Sequence, residues 1–345
     1  MKTRFILAVV LLAVLSSCSS TRNMQVLTTR PARVAIDQHI KRIVIVNRSI
    51  GNEKSVIEGV LTGELPGKDT QLSRYCIQGV MQELSSSSRF TVVAFDKELP
   101  SGNPTSTSFG PALTWNSIAD ICRRTGADAV LTLEFFDSDY TLLNAGKAAK
   151  TNDKVVVNNT TEPLFYATGT ASANAGFRIY NNLNRSISYE DSYRYNREWR
   201  QSARTYLEAA SKLMKKNEAM ENVSRDLGAN FSRMLIPTRY WENRLMFKGK
   251  SALAVKAERL ALTSNWEEAV SVWLQAYSSA TEPKERGAIA YNLALGYEVL
   301  GEYESAKKWV STSYIDSGNS KALRYSEIID GLIADRKRLN SQLGN

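Results

Sequence analysis

Between residues 250 and 320 the chain repeats a pattern that leaves little freedom in how it folds. Asn292-Leu293-Ala294, Gly296-Tyr297, Leu300-Gly301-Glu302-Tyr303 and Ala306 fit two antiparallel helices joined by a tight turn. Small Ala294 and Ala306 let the helices approach, Tyr297 and Leu300 fill the space between them, Gly301 turns the chain and Tyr303 packs the turn. Ala257, Leu260, Asn265-Trp266, Ala269, Trp273 and Ala276 meet the same template, with Trp266 aligned on Tyr303 and Ala269 on Ala306. Two hairpins are short for a stack, which usually needs three or more units to bury a continuous core. Cover for the open ends is therefore expected from the helices before Pro237, or from a helix over residues 323–339 carrying Leu323, Ile328, Leu332 and Ile333.

On these residues the region resembles the tetratricopeptide (TPR) repeat, with an offset slightly above the usual spacing and a longer inter-repeat turn at Ser278 to Arg286. The resemblance implies a concave groove for a peptide or partner protein. The alternative is that the hairpins pack against the preceding domain and act structurally.

The first residues specify an address. Lys2 and Arg4 form a positive n-region, Phe5 to Leu15 is an almost unbroken apolar run, and Ser16 and Ser17 precede Cys18. That is the layout of a secretory signal, and the run is too short for a membrane span of roughly 20 residues. Leu15-Ser16-Ser17-Cys18 resembles the bacterial lipobox, which implies cleavage before Cys18, diacylglycerol on its sulfur and acylation of the new amino terminus. Several acyl chains make a durable anchor. Ser19 stands where Asp would imply inner-membrane retention, and Ser19 to Arg33 contains no acidic residue of the kind that resembles a surface-export signal. An outer-membrane, periplasm-facing anchor is expected. Ser19 to Arg33 reads as a polar tether that reaches about 50 Å when extended.

Loss of Lys2 and Arg4 takes the net charge from +9 to +7. The densest basic spots, Lys215-Lys216 and Arg336-Lys337-Arg338, lie on helical patterns and read as solvated faces, with attraction to an anionic membrane surface or cell-wall polymer as the alternative. Nucleic acid is not an expected partner outside the cytoplasm. An apolar content of 43% is that of a globular chain, not of a disordered tether.

Residues 40 to 136 read as β, α, β, α, β. The apolar run Ile43-Val44-Ile45-Val46 is a buried strand, Gln71 to Leu84 keeps a helical period, and Phe90-Thr91-Val92-Val93 is a strand. Trp115 to Arg124 is a helix closed by Gly126, and Ala129 to Phe136 is a third strand. Ile50 to Thr70, Pro100 to Pro111 and Tyr140 to Asp153 read as loops, and Leu164 to Tyr195 as an antiparallel hairpin turning at Asn181 to Asn184. Gly79 to Phe95, Ile118-Ala119-Asp120 and Gly126-Ala127-Asp128-Ala129-Val130-Leu131 resemble periplasmic α/β modules. These are the curli secretion lipoprotein, the lipoprotein activators of penicillin-binding proteins and the TolB N-terminal domain. The resemblance covers roughly residues 40 to 200 and brings no catalytic residue, because those modules scaffold and bind. Arg200 to Ile236 is helical, with stripes at Leu207, Ala210, Leu213 and Met214 and at Val223, Leu227, Phe231 and Met234.

The expected fold class is α+β, an N-terminal mixed α/β sandwich followed by an all-α helical-hairpin region. The divisions are a signal over 1–17, a lipidated tether over 18–36, the α/β domain over 37–200, connecting helices over 201–248 and the TPR-like region over 249–345. Cys76 and Cys122 sit among apolar helix residues and read as buried free thiols; an oxidising compartment leaves a disulfide as the alternative. Ile187, Tyr189, Tyr193 and Tyr195 share one strand parity and read as a covered sheet face, or otherwise as a binding stripe.

Residue types for catalysis are sparse. His39 is the sole histidine, and no Gly-x-Ser-x-Gly, His-Glu-x-x-His or Cys-x-x-Cys occurs. Gly63 to Asp69 is one residue short of a phosphate loop and carries Asp69 where Ser or Thr is needed. Carboxylates such as Glu134, Asp137 and Asp139 could support glycosidase-type chemistry or a calcium ion, but short acidic clusters after a strand are mostly solvated turns. No enzyme activity, cofactor or metal is expected. The whole pattern resembles a family of Bacteroidetes lipoproteins, a resemblance that carries no activity. The expected role is an envelope scaffold or regulator attached to the membrane through Cys18 and binding an envelope protein partner; a ligand- or peptidoglycan-binding lipoprotein is the alternative.

Overall fold

The computed structural model describes residues 20–49, 68–100, 107–143, 154–157, 160–163 and 165–344. Its first strand, β1 (Thr21–Arg30), pairs antiparallel with its last, β9 (Thr238–Phe247), from Thr21 opposite Phe247 to Arg30 opposite Thr238. The stretch expected to be a tether is therefore a strand. Its polar composition hid it, because only one face of this ribbon is covered: Val26 and Thr28 are buried while Leu27 and Trp241 lie exposed on the other side. The signal segment and Cys18 fall outside the described residues.

The chain divides into two compact units. One comprises Ala32–Pro237 with Ser341–Asn345, and the other Met1–Pro31 with Thr238–Asn340. The division falls after Pro237, so the expected linker of connecting helices over 201–248 is split: its helices belong to the α/β unit and its last strand to the helical unit.

In the α/β unit, β2 (Arg42–Asn47), α1 (Lys68–Ser85), β3 (Thr91–Ala94), α2 (Trp115–Thr125) and β4 (Ala129–Leu143) appear in the expected order. A small hairpin, β5 (Lys154–Val157) with β6 (Thr160–Pro163), is followed by the long pair β7 (Phe165–Asn181) and β8 (Ser186–Ala203). The five-stranded sheet has the order β3-β2-β4-β7-β8. Strand β2 runs parallel to both β3 and β4, and the later pairings are antiparallel. Strand β4 runs on to Leu143, through the start of the stretch read as a loop from Tyr140, because each of its residues from Phe135 to Leu143 pairs with β7.

Period-two alternation assigns the faces. Ile43, Ile45, Leu131 and Leu133 join the core beneath α1, whereas Val44, Val46 and Val130 join a second core with Ile118, Ile121 and Cys122 of α2. Gly126, at φ 66°, is the left-handed cap that ends α2. The helices that follow the sheet, α3 (Tyr206–Ser211) and α4 (Lys216–Arg233), pack back onto it. Ala171, Ala173 and Ala175 keep β7 low enough for α4, and Phe231 stacks on Phe177 with ring centroids 3.7 Å apart. Helices α1 and α4 touch backbone to backbone: a Cβ on Gly79 would lie 2.0 Å from Arg225 O, and one on Gly228 would lie 2.0 Å from Cys76 O.

The helical unit contains α5 (Ala252–Leu262), α6 (Trp266–Ser279), α7 (Pro283–Val299), α8 (Tyr303–Ser317) and α9 (Ser320–Leu343). Its two hairpins turn alike. Ser264 has φ 63° where its counterpart Gly301 has φ 78°. The next residues, Asn265 and Glu302, have φ, ψ of −86°, 65° and −89°, 65°. In each turn that residue's N–H returns to a helix carbonyl, Asn265 to Leu260 O at 2.9 Å and Glu302 to Tyr297 O at 2.8 Å. Ala322, Tyr325, Ile329 and Leu332 of α9, with Val26 and Met246 of the ribbon, complete this core. Of the two covers expected, the late helix is used. The helices before Pro237 belong to the other unit, and the ribbon serves in their place.

Two stability changes follow. Gly228→Ala should destabilise the α/β unit by about 1–3 kcal/mol, the usual cost of overpacking, because the obstructing atoms are backbone. Ser264→Gly should stabilise the helical unit by about 0.5–1 kcal/mol by relieving a left-handed conformation. Urea midpoints of the two variants against the parent check both signs.

Candidate functional site

In open α/β sheets, ligands bind beyond the carboxyl ends of the strands where the strand order reverses. Here the chain leaves β2 toward β3 on one side and returns to β4 on the other, and Arg48 directly follows β2. Glu134 sits at the irregularity in the β4–β7 register, between Leu133 and Phe135, and bulges re-aim side chains. Its Oε2 accepts from Arg48 Nη1 at 2.6 Å, and its Oε1 accepts from Thr132 Oγ1 at 2.6 Å and lies 3.4 Å from Arg178 Nη1. Arg48, Thr132, Glu134, Arg178 and Tyr180 are all buried.

The chain itself closes this position. Arg48 Nη2 donates to Pro111 O at 3.1 Å, Arg178 donates to Gly110 O at 3.4 Å, and Tyr180 Oη accepts from Leu113 N at 3.0 Å. Burial pulls against the Arg178 cation, but hydrogen bonds to Tyr180 and Glu190 hold its pKa above the usual value, and burial raises that of Tyr180. The arrangement is a clamp on the 110–113 segment. Of the carboxylates singled out in the sequence, Glu134 is buried here and Asp139 lies outside the clamp, hydrogen-bonded to Tyr140 N. Asp137 has its pKa raised by burial and by Asp139. His39 Nε2 lies 3.2 Å from Asn181 Oδ1. Among the described residues, no group of three or more His, Cys, Asp or Glu is placed to hold a metal.

An open concavity lies in the helical unit. A cavity of about 340 Å³ is bounded by Ser20, the segment after β9, the start of α5, the first turns of α7 and the end of α8. Phe247, Ala254, Ala288 and Ile289 form its apolar side, Lys248, Lys250 and Lys284 bring three cations to it, and Glu285 brings one carboxylate, which is held by the Ser251 backbone. Its walls are tied down by hydrogen bonds. Asn292 clasps the Phe247 backbone, accepting from N at 2.7 Å and donating to O at 2.8 Å. Glu258 Oε2 accepts from Gly249 N at 2.9 Å while its Oε1 pairs with Arg22 at 2.6 Å. Glu285 Oε1 accepts from Ser251 N at 3.1 Å. Further along β9, Arg244 meets Glu298 at 3.0 Å with both side chains buried, and Tyr325 donates to the same carboxylate. Burial, then Glu298, pushes the neighbouring Tyr291 up to about 12.

Among the described residues, Lys248 and Lys284 have no acidic partner, and the Lys250–Glu282 pair is long at 4.0 Å and exposed. Such an arrangement suits an anionic group held against an apolar wall. The lysines come from two separated segments, so no local motif marked them; Lys248-Gly249-Lys250 after an apolar strand end was the available signal.

The residues chosen from the repeat pattern cluster as a core. Ala257, Ala269, Trp273, Ala276, Leu293, Ala294 and Ala306 are buried, and Leu260, Trp266, Tyr297 and Tyr303 pack partly buried against them. Gly301 is in the turn. None of these twelve positions lines the cavity. Tyr189 and Tyr193 pack on Phe231 of α4, with centroids at 5.7 and 6.5 Å, so α4 covers that sheet face; Ile187, expected on the same face, is exposed beyond the register shift in the β7–β8 pairing. Cys76 and Cys122 are free and buried in different cores.

Comparison with known proteins adds a family. The model described as "Domain of unknown function (DUF8603)" matches residues 40–247. The chain belongs to that family. In this member the DUF8603 region takes in the whole sheet and β9, and a second model, "Domain of unknown function (DUF6340)", matches residues 255–331 in the helical unit. No curated protein matches this DUF8603 chain. It is similar to the PelC dodecamer from Paraburkholderia phytofirmans at 12% identity and a TM-score of 0.27, covering 61% of this chain and 97% of that one. It is also similar to a minor lipoprotein from Acinetobacter baumannii at 11% identity and a TM-score of 0.21, covering 57% and 97%. Likenesses this slight carry no argument about the chain.

Glu134→Ala should destabilise the α/β unit by about 3–5 kcal/mol, because it removes the buried carboxylate that Arg48 and Arg178 share; urea unfolding measures it. Burial raises both thiol pKa values, Cys122 to about 11. Neither thiol should react with Ellman's reagent in native protein at neutral pH, and both should react once it is unfolded.

Proposed function

We propose that this chain is a lipid-anchored, non-enzymatic outer-membrane lipoprotein facing the periplasm, whose TPR-like helical unit recruits or regulates an envelope protein assembly. The observation that supports it best is the ten-residue pairing of β1 with β9. That pairing builds the strand just after Cys18 into the unit that carries the hairpins. An anchor at Cys18 would thus hold the helical unit itself near the bilayer, as a membrane-bound recruitment module requires. The lipobox-like Leu15-Ser16-Ser17-Cys18 and the two similar hairpin turns point the same way. No helix among the described residues is long and apolar enough to cross a membrane, so attachment in this reading falls to Cys18. The alternative, a ligand- or peptidoglycan-binding lipoprotein, draws no support from the tyrosine face beneath α4.

Two measurements test the proposal. Cys18→Ala should move the protein from the membrane to the soluble fraction while leaving its thermal unfolding unchanged; retention on washed membranes would remove the anchor. Photo-crosslinking from Ile315, an exposed apolar position on α8, should give a discrete protein adduct in intact envelopes, and crosslinking from Leu183 on the α/β unit should not. Adducts from Leu183 alone would transfer the partner surface to the other unit and end the scaffold role of the helices.

A further inference from the structure

The cavity in the helical unit lies close in the chain to Cys18. Ser20 forms part of its wall and accepts from Lys248 N at 2.9 Å. Cys18 precedes Ser20 by two residues, which span at most about 7 Å of extended chain. With an acyl group on Cys18 in the bilayer, as the lipid-anchor reading has it, a cavity walled by Ser20 would be within reach of the headgroup layer. Lys248, Lys250 and Lys284 reach its rim from two segments. Lys321 adds a fourth cation beside the same wall, with Nζ 5.4 Å from the Phe247 ring centroid. Beneath the rim, Phe247 and Ile289 provide apolar surface of the kind that meets the glycerol and upper acyl region of a lipid.

We propose that this cavity takes the phosphate of an anionic phospholipid headgroup, so that the helical unit is held on the membrane by a lysine clamp as well as by its acyl anchor. The proposal rests on the lipid-anchor reading for its geometry. It deepens that reading by adding a second, charge-dependent attachment with a defined orientation. Lys248, Lys250 and Lys284 would contact the phosphate, and the Asn292 clasp on Phe247 would position the loop that carries two of them. Juxtamembrane lysines contribute about fivefold each to binding on anionic membranes, so the three together are worth on the order of 100-fold.

The test uses the chain from residue 18 with Cys18→Ala, so that no acyl chain contributes. It is sedimented with vesicles of phosphatidylcholine alone and with vesicles rich in phosphatidylglycerol. Selective binding to the anionic vesicles, weakened by salt and reduced on the order of 100-fold by the triple Lys248→Gln, Lys250→Gln, Lys284→Gln variant, is the expected result. All three lysines are on the exterior of the fold, and circular dichroism verifies that the variant remains folded. A variant with Lys212, Lys215 and Lys216 changed to Gln, the same loss of charge on the α/β unit, should keep its binding. Equal binding to both vesicle types, or undiminished binding by the cavity variant, overturns the proposal. Titration calorimetry that finds inorganic phosphate bound by a chain that ignores both vesicle types also overturns it, leaving a small-anion site. Acylation of Cys18 is read separately by mass spectrometry of membrane-extracted protein. Loss of the anchor and failure of the clamp are therefore distinct outcomes.

Discussion

The pairing of β1 with β9 is the constraint on which the helical unit depends. It brings Thr21 opposite Phe247 across the whole sequence of the α/β unit, which is inserted between the two strands. A lone two-stranded ribbon is marginal in water. This one is stabilised by covering one face with helices and by ties from its strands to them: Arg22 to Glu258, Arg244 to Glu298 and the Phe247 backbone to Asn292. The Arg244–Glu298 pair is buried, where a carboxylate needs both its countercharge and further donors; Tyr325 supplies one of them. In consequence the chain closest to Cys18 is part of a packed body, and the cavity walled by Ser20 has a fixed place in the fold.

The α/β unit solves a different problem, seating two helices on one face of a sheet whose central strands are buried on both sides. Alanines on β7 lower the floor, Gly79 and Gly228 remove the side chains where α1 and α4 cross, and the Phe177–Phe231 stack fills what remains. At the carboxyl end of β2, the position where α/β sheets commonly hold ligands, Arg48, Glu134 and Arg178 are committed to one another and to the 110–113 backbone. A region that topology marks as a binding site has here been turned into internal support.

Much of this was legible in the residues. The β, α, β, α, β order followed from apolar runs of strand length separated by a helical period, and the two hairpin turns followed from the alanines, aromatics and Gly301. Ser264 did not announce its left-handed conformation; the alignment of Trp266 on Tyr303 did. What misled was polarity. Ser19 to Arg33 lacks the continuous apolar run of a strand buried on both faces because only one of its faces is covered, and β9 carries Arg244 at a buried position because Glu298 waits for it on a helix. The lysines of the cavity were equally silent, since their meaning lies in proximity across a loop and a helix start.

The sequence by itself determined the α+β class, the order of elements in the α/β unit, the paired helical hairpins and the candidate anchor at Cys18. These are local properties, set by side-chain periodicity, turn chemistry and the length of an apolar run. Only the tertiary structure decided that the N-terminal strand belongs with the C-terminal helices, that Glu134 is locked between two arginines, and that three lysines gather beside Ser20. Each of those depends on residues far apart in the chain coming together in the fold, and proximity across that separation leaves no periodicity for a sequence to display.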